Sequence, residues 1–136
     1  MFELFEHTAD LGLRVTASDL DGLFRDAAAG LFAMIVEPPP HGRPVGRREI
    51  EIPGERRDFL MVDWLSELLY VFDTERQLSG QVEVTVDDRG LRATVTLHAL
   101  DAENYKLLRE VKAITYHGLK VERVADVWLA EVIVDI

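Results

Sequence analysis

Two acidic groups close a strongly apolar segment of the chain: Asp135 supplies a side-chain carboxylate and Ile136 the main-chain one. Residues 127–134, Val-Trp-Leu-Ala-Glu-Val-Ile-Val, read as a sheet strand that would deliver both acids to a fixed place. Fixed neighbouring carboxylates repel unless a cation or a donor lies between them, so the pair reads as half of a divalent-metal site. A complement is found in His7-Thr8-Ala9-Asp10, a short polar interruption between two strand signals. Such an interruption is a bulge or a functional connection. Asp10 either caps a turn or is an oxygen ligand. One acid cannot satisfy Mg²⁺ (six oxygens) or Ca²⁺ (six to eight), whereas Asp10, Asp135 and Ile136 with water can.

A third segment, Lys112-Ala113-Ile114-Thr115-Tyr116-His117, enters a strand signal. Alternation there predicts that Lys112, Ile114 and Tyr116 share one face while Thr115 and His117 take the other. Lys112 beside acids would balance charge or contact a phosphate, and would stay protonated, which argues against a base or nucleophile. His7 and His117 invite a softer metal such as zinc, although single histidines more often simply hydrogen-bond. The chain has no Gly-rich phosphate loop, no dinucleotide fingerprint and no defensible nucleophile–base set.

The elements that must position these groups are legible. Residues 1–6 and 11–17 read as strands, the second alternating as Leu11, Leu13, Val15 and Ala17. Ser18 and Asp19 offer N-caps for a helix whose apolar stripe runs from Leu20 to Ile35, before Pro38-Pro39-Pro40 forbids continuation. Residues 38–48 form a Pro-, Gly- and Arg-rich loop, and 48–53 an edge strand. A helix apolar on several sides spans about 58–76, with Asp63 and Glu67 on its polar stripe. Val82, Val84 and Val86 begin a hairpin through Asp87-Asp88-Arg89-Gly90 to residues 91–100. A loop at 101–104 precedes a last hairpin of 114–124 and 127–136 about Ala125-Asp126. Two helices and six or seven largely antiparallel strands predict an α+β domain occupying residues 1–136.

Composition narrows the function classes. Fifteen basic against 25 acidic residues give a net charge of −10, which disfavours direct gripping of nucleic acid and suits metal cations or a basic partner. Arg43, Arg47, Arg48, Arg56 and Arg57 cluster in sequence, as a solvated loop or a docking patch. The absence of cysteine excludes disulfides, thiolate zinc sites and cysteine nucleophiles. No apolar stretch has membrane-span length and the first residues carry no signal-peptide pattern, so no membrane association and a cytoplasmic location are expected.

Taken together, His7-Thr8-Ala9-Asp10, Lys112 to His117, and the terminal strand closing on Asp135-Ile136 resemble the archease family over essentially the whole chain. The resemblance implies a non-enzymatic accessory protein for the RNA-splicing ligase, which joins a 2′,3′-cyclic phosphate or 3′-phosphate end to a 5′-hydroxyl end. It implies promotion of that ligase's guanylylation and repeated turnover, with a wider choice of nucleotides. It also implies a metal, with calcium the expected ion, held by residues at the positions of Asp10, Asp135 and Ile136, and a functional lysine at Lys112, beside His7. Two other readings stand: a chaperone-like protein for nucleic-acid-modifying enzymes, which needs an exposed apolar patch, and a stand-alone metal-dependent hydrolase using Asp10 and Asp135.

Overall fold

A computed structural model describes residues 1–7 and 9–136; Thr8, the second residue of the first motif, lies outside the described residues. Strands β1 (Phe2–His7) and β2 (Asp10–Ala17) form a hairpin whose closing pair is His7 opposite Asp10. The polar interruption is therefore the hairpin connection, and Ala9 adopts φ 65° within it. Asp19 stops β2 and starts helix α1 (Leu20–Ile35), its side chain accepting from the Gly22 amide at 2.7 Å. One face of α1 buries Leu23, Phe24, Ala27, Leu31, Phe32 and Ile35, as the 3.6-residue stripe requires.

The chain continues through β3 (Val36–Glu37), β4 (Gly46–Pro53) and helix α2 (Arg57–Glu75), which ends at Arg76 in the left-handed conformation. Strands β5 (Gln77–Asp87), β6 (Gly90–Ala99), β7 (Lys106–Leu107), β8 (Ala113–Ile114), β9 (Lys120–Val124) and β10 (Val127–Asp135) complete it. The first sheet runs β1-β2-β10-β8, with β9 pairing the other end of the same β10 edge. A second sheet runs β4-β6-β5, and β3 pairs β7 alone. All pairings are antiparallel.

The two helices lie between the sheets: α1 touches β2 and β5, and α2 touches β4, β5, β8 and β9. Their junction is tied by Trp64, fully buried, whose indole N–H donates to the Phe24 carbonyl at 2.9 Å. Inward residues of both sheets and both helices form one contiguous core, including Leu13, Val15, Leu65, Val95 and Val132. The expected α+β class with two main helices is what the molecule adopts.

Three expectations needed correction. Ten strands occur among the described residues rather than six or seven, because three two-residue strands carry no alternation to read. The loop of 38–48 shortens to 38–45, because Gly46, Arg47 and Arg48 pair with Leu97, Thr96 and Val95 and lengthen β4. The arginine cluster disperses: Arg48 pairs with Glu75, Arg56 with Asp58, and Arg57 with Asp88 while lying over the Trp128 ring.

Candidate functional site

Register gathers the chemical residues at one end of the first sheet. In an antiparallel ladder, residues directly opposite one another point to the same face. The β2–β10 register pairs Val134 with Leu11, and one step further sets Asp135 against Asp10. Asp10 also faces His7, and Asp135 faces Ala113. The row His7–Asp10–Asp135–Ala113 thus crosses four strands on the face turned away from α1. Ile136 follows directly, with its side chain exposed.

His7 and Asp10 are close without being hydrogen-bonded: Nδ1 stands 3.7 Å from an Asp10 carboxylate oxygen, too long for a hydrogen bond. That nitrogen is shielded from solvent and has no partner among the described residues. The His117 ring packs edge-on against His7 with centroids 5.3 Å apart. His117 is positioned by its amide, which donates to Thr115 Oγ1 at 3.2 Å, and Thr115 itself donates from both amide and hydroxyl to the Ile133 carbonyl.

Lys112 is fixed by its backbone: its amide donates to the Asp135 carbonyl at 2.7 Å. Its side chain is exposed, and no carboxylate of the described residues stands within ion-pairing range. The expected shared face of Lys112, Ile114 and Tyr116 does not form, because β8 is only two residues long. Ile114 is buried, whereas Tyr116 turns out to solvent and meets Phe59 of α2 edge-on at 5.6 Å. A turn closed by Leu119 N–H donating to the Tyr116 carbonyl breaks the alternation.

A second row supports the first. Next along the same face come Phe5, Gly12, Ile133 and Thr115. A Cβ on Gly12 would sit 2.2–2.5 Å from three atoms of the Phe5 ring, so the ring lies directly on the glycine backbone. The Arg14 guanidinium stacks on Phe5 at 4.6 Å and bridges Glu3 at 2.7 Å and Glu131 at 3.3 Å. These two carboxylates hold the Arg14 proton more firmly than usual, Glu3 most. The sequence reading passed over this support. Its signal was present: an isolated glycine inside an alternating strand marks a close approach.

The two cross-strand aspartates at the tip are hard oxygen donors, which suit a hard divalent cation rather than zinc. Among the described residues, no three His, Cys, Asp or Glu side chains are gathered so as to hold a metal by themselves. His7 and His117 do meet, yet they bring no third ligand for a zinc site. No described helix is long and apolar enough to cross a membrane.

Comparison with known proteins gives matches over nearly the whole chain. The chain is 36% identical to protein archease of Pyrococcus furiosus over 99% of its own length and 98% of the relative's. It is 33% identical to that of Methanosarcina acetivorans, over 99% and 95% of the two chains. The solution structure of Methanobacterium thermoautotrophicum protein 1598 superposes with a TM-score of 0.79 at 34% identity, covering 99% and 98%. An archease from Thermotoga maritima, described as a possible chaperone, shares the fold with a TM-score of 0.67 at 20% identity, covering 100% and 98%. The archease protein family (MTH1598/TM1083) matches residues 2–136, and the chain belongs to it.

Proposed function

We propose that this protein is a non-catalytic activator of the RNA-splicing ligase, promoting guanylylation of the ligase and its repeated turnover. The observation that carries the reading is the tip row, in which the cross-strand acids Asp10 and Asp135 stand beside Ile136 on the exposed end of a structured sheet. Exposed acids on a rigid rim are suited to enter another protein's pocket, and pre-positioned groups lose little conformational freedom on docking. The roles of His7, Lys112 and the partner ligase come from the family resemblance.

In this reading Asp10, Asp135 and the Ile136 carboxylate hold a divalent ion, with calcium the expected one. When bound, the ion supplies positive charge near nucleotide phosphates. Lys112, with its ammonium group free, contributes a second positive charge that can hold a phosphate oxygen. His7 stands opposite Asp10 on the neighbouring strand, and its part in activation follows the family resemblance. The widening of nucleotide choice belongs to the same contact, and the acidic surface leaves RNA to the ligase. The expected compartment is the cytoplasm.

Following guanylylation and multiple-turnover ligation by the cognate ligase tests the proposal. Wild type should stimulate both, and Asp10→Ala, Asp135→Ala, Lys112→Ala or two residues appended after Ile136 should abolish most of the stimulation. Undiminished stimulation by the extended protein would sink the tip reading. Suppression of aggregation that persists in Asp10→Ala, without any effect on ligation, would instead favour the chaperone-like reading. Phosphoester cleavage by the protein alone would favour the hydrolase.

A further inference from the structure

We propose that residues 38–45 form an acid-released strap, clamped over the second sheet by the buried His98 below and the His41–Tyr105 contact above. On β6, Leu91, Ala93, Val95 and Leu97 point into the core, so His98 belongs to the opposite face with Arg92, Thr94 and Thr96. That face is solvated elsewhere along the strand: Arg92 is exposed and Thr94 half-buried only on its flank. Yet His98 is only 7% exposed. Two features cover it. Its ring occupies the space a side chain at residue 80 would need, since a Cβ on Gly80 would stand 2.5 Å from Nε2. This crowding coincides with the irregularity of β5 between Ser79 and Val82. The strap supplies the other side, through His41 and Arg43.

The strap is pinned at two further points. The His41 amide donates to the Tyr105 hydroxyl at 2.9 Å, and that hydroxyl donates to the His41 carbonyl at 3.0 Å. The two rings meet edge-on with centroids 5.0 Å apart. Closer to β4, the Val45 amide donates to the Leu97 carbonyl at 2.8 Å. Asp101 faces His41 from beyond Tyr105, its own acidity set chiefly by Asn104.

The clamp disfavours the charged form of its lower histidine. His98 Nδ1 and Ser79 Oγ are both buried without a hydrogen-bond partner among the described residues. Burial lowers the His98 pKa, and the positive charge His41 can carry lowers it further. The backbone of His41 and of Arg43 opposes this with a smaller effect. From β5, Leu78 and Ser79 bring no ionisable group, and no carboxylate acts on the His98 ring. A proton arriving at His98 would therefore be stranded in a covered site beside a second histidine, and lifting the strap hydrates it.

The sign follows from linkage. The closed strap prefers neutral His98, so its stability is complete above the ordinary histidine pKa of about 6.5 and is lost as pH falls from there towards the depressed value. Each unit by which closure lowers that pKa amounts to about a tenfold rise in the opening constant once His98 is fully protonated. Opening hydrates His98 and frees the His41–Arg43 segment from the second sheet, while the first sheet keeps its pairing.

Amide hydrogen exchange of the full chain by NMR, corrected for intrinsic rates, reads the strap directly at His41 and Val45. Protection of both should fall as pH drops from about 7.5 to about 5.0, while Leu13 and Val15 in β2 stay protected. The neutral variant His98→Gln should remove that pH dependence. Equal protection at both pH values in the wild type, or an unchanged pH dependence in His98→Gln, overturns the proposal. The His98 ring resonances give an independent reading in the wild type, whether or not the variant folds. Titration of His98 at or above the free-histidine value with the strap still protected overturns the proposal equally.

Discussion

Replacing Gly12 with Ala tests how the tip is held. The added methyl would fall 2.2–2.5 Å from the Phe5 ring, closer than any side chain tolerates, and Gly12 lies in mid-strand with β1 and β10 on either side. The ring must therefore leave. Phe5 is half-buried, so displacement forfeits about 1 kcal/mol, roughly half of a fully buried phenylalanine. The Arg14 stacking at 4.6 Å adds about 0.5 kcal/mol at such an exposed position. Against these, alanine is better than glycine in a strand by about 0.5–1 kcal/mol. The net expectation is a loss of about 0.5–1 kcal/mol. The decisive measurement is a double-mutant cycle by urea denaturation. In a Phe5→Ala background the same Gly12→Ala change should become stabilising by about 0.5–1 kcal/mol, giving a coupling of roughly 1.5 kcal/mol. A coupling near zero would refute the stacked-ring account. Stimulation of the ligase should fall in the single variant, because the neighbouring row His7–Asp10–Asp135 loses the ring that abuts it.

Other outcomes follow from the same geometry. Lys112→Ala should leave stability within about 0.5 kcal/mol, since the side chain is exposed and only its backbone is engaged, while ligase stimulation is lost. Trp64→Phe should cost about 2–3 kcal/mol in urea denaturation, because it removes buried volume and the indole hydrogen bond that ties the two helices. The Arg56 guanidinium holds the Asp58 carboxyl below its usual range. That contribution is present above the unfolded carboxylate pKa and disappears as pH falls through the depressed one. Arg56→Gln should therefore flatten the acid limb of stability, by no more than about 0.5 kcal/mol for so exposed a pair. Calorimetric titration with Ca²⁺ should show binding that Asp135→Asn weakens at least about tenfold, as removal of one charged oxygen ligand implies.

Much of this architecture was readable from pattern alone. Residues 127–134, apolar but for Glu131 and followed by an acid, form β10; the stripe from Leu20 to Ile35 forms α1 behind the Asp19 cap. The pairing of Asp10 with Asp135 was anticipated chemically, but its geometry depends on a register 125 residues apart that alternation does not encode. Tyr116 misled because a β-prone segment was cut short by a turn, and turns closed by backbone bonds leave little trace in residue type. His41 and His98 were invisible as a pair. Nothing local links a loop histidine to one on the outer face of a strand, and only the covering of β6 by the strap brings them together.

The central place of β10 has a consequence for how the protein comes into being. Strand β10, the last described, lies between β2 on one side and β8 and β9 on the other, so until it inserts the first sheet is only the β1–β2 hairpin, with β8 and β9 unpaired. Such non-local closure is slow compared with forming the β1–β2 or β5–β6 hairpins. During synthesis the acids of the tip cannot meet before β10 has left the ribosome and found its slot. Partly made or misfolded chains therefore lack the tip altogether, and competence to act on a partner is itself a report that the molecule has finished folding.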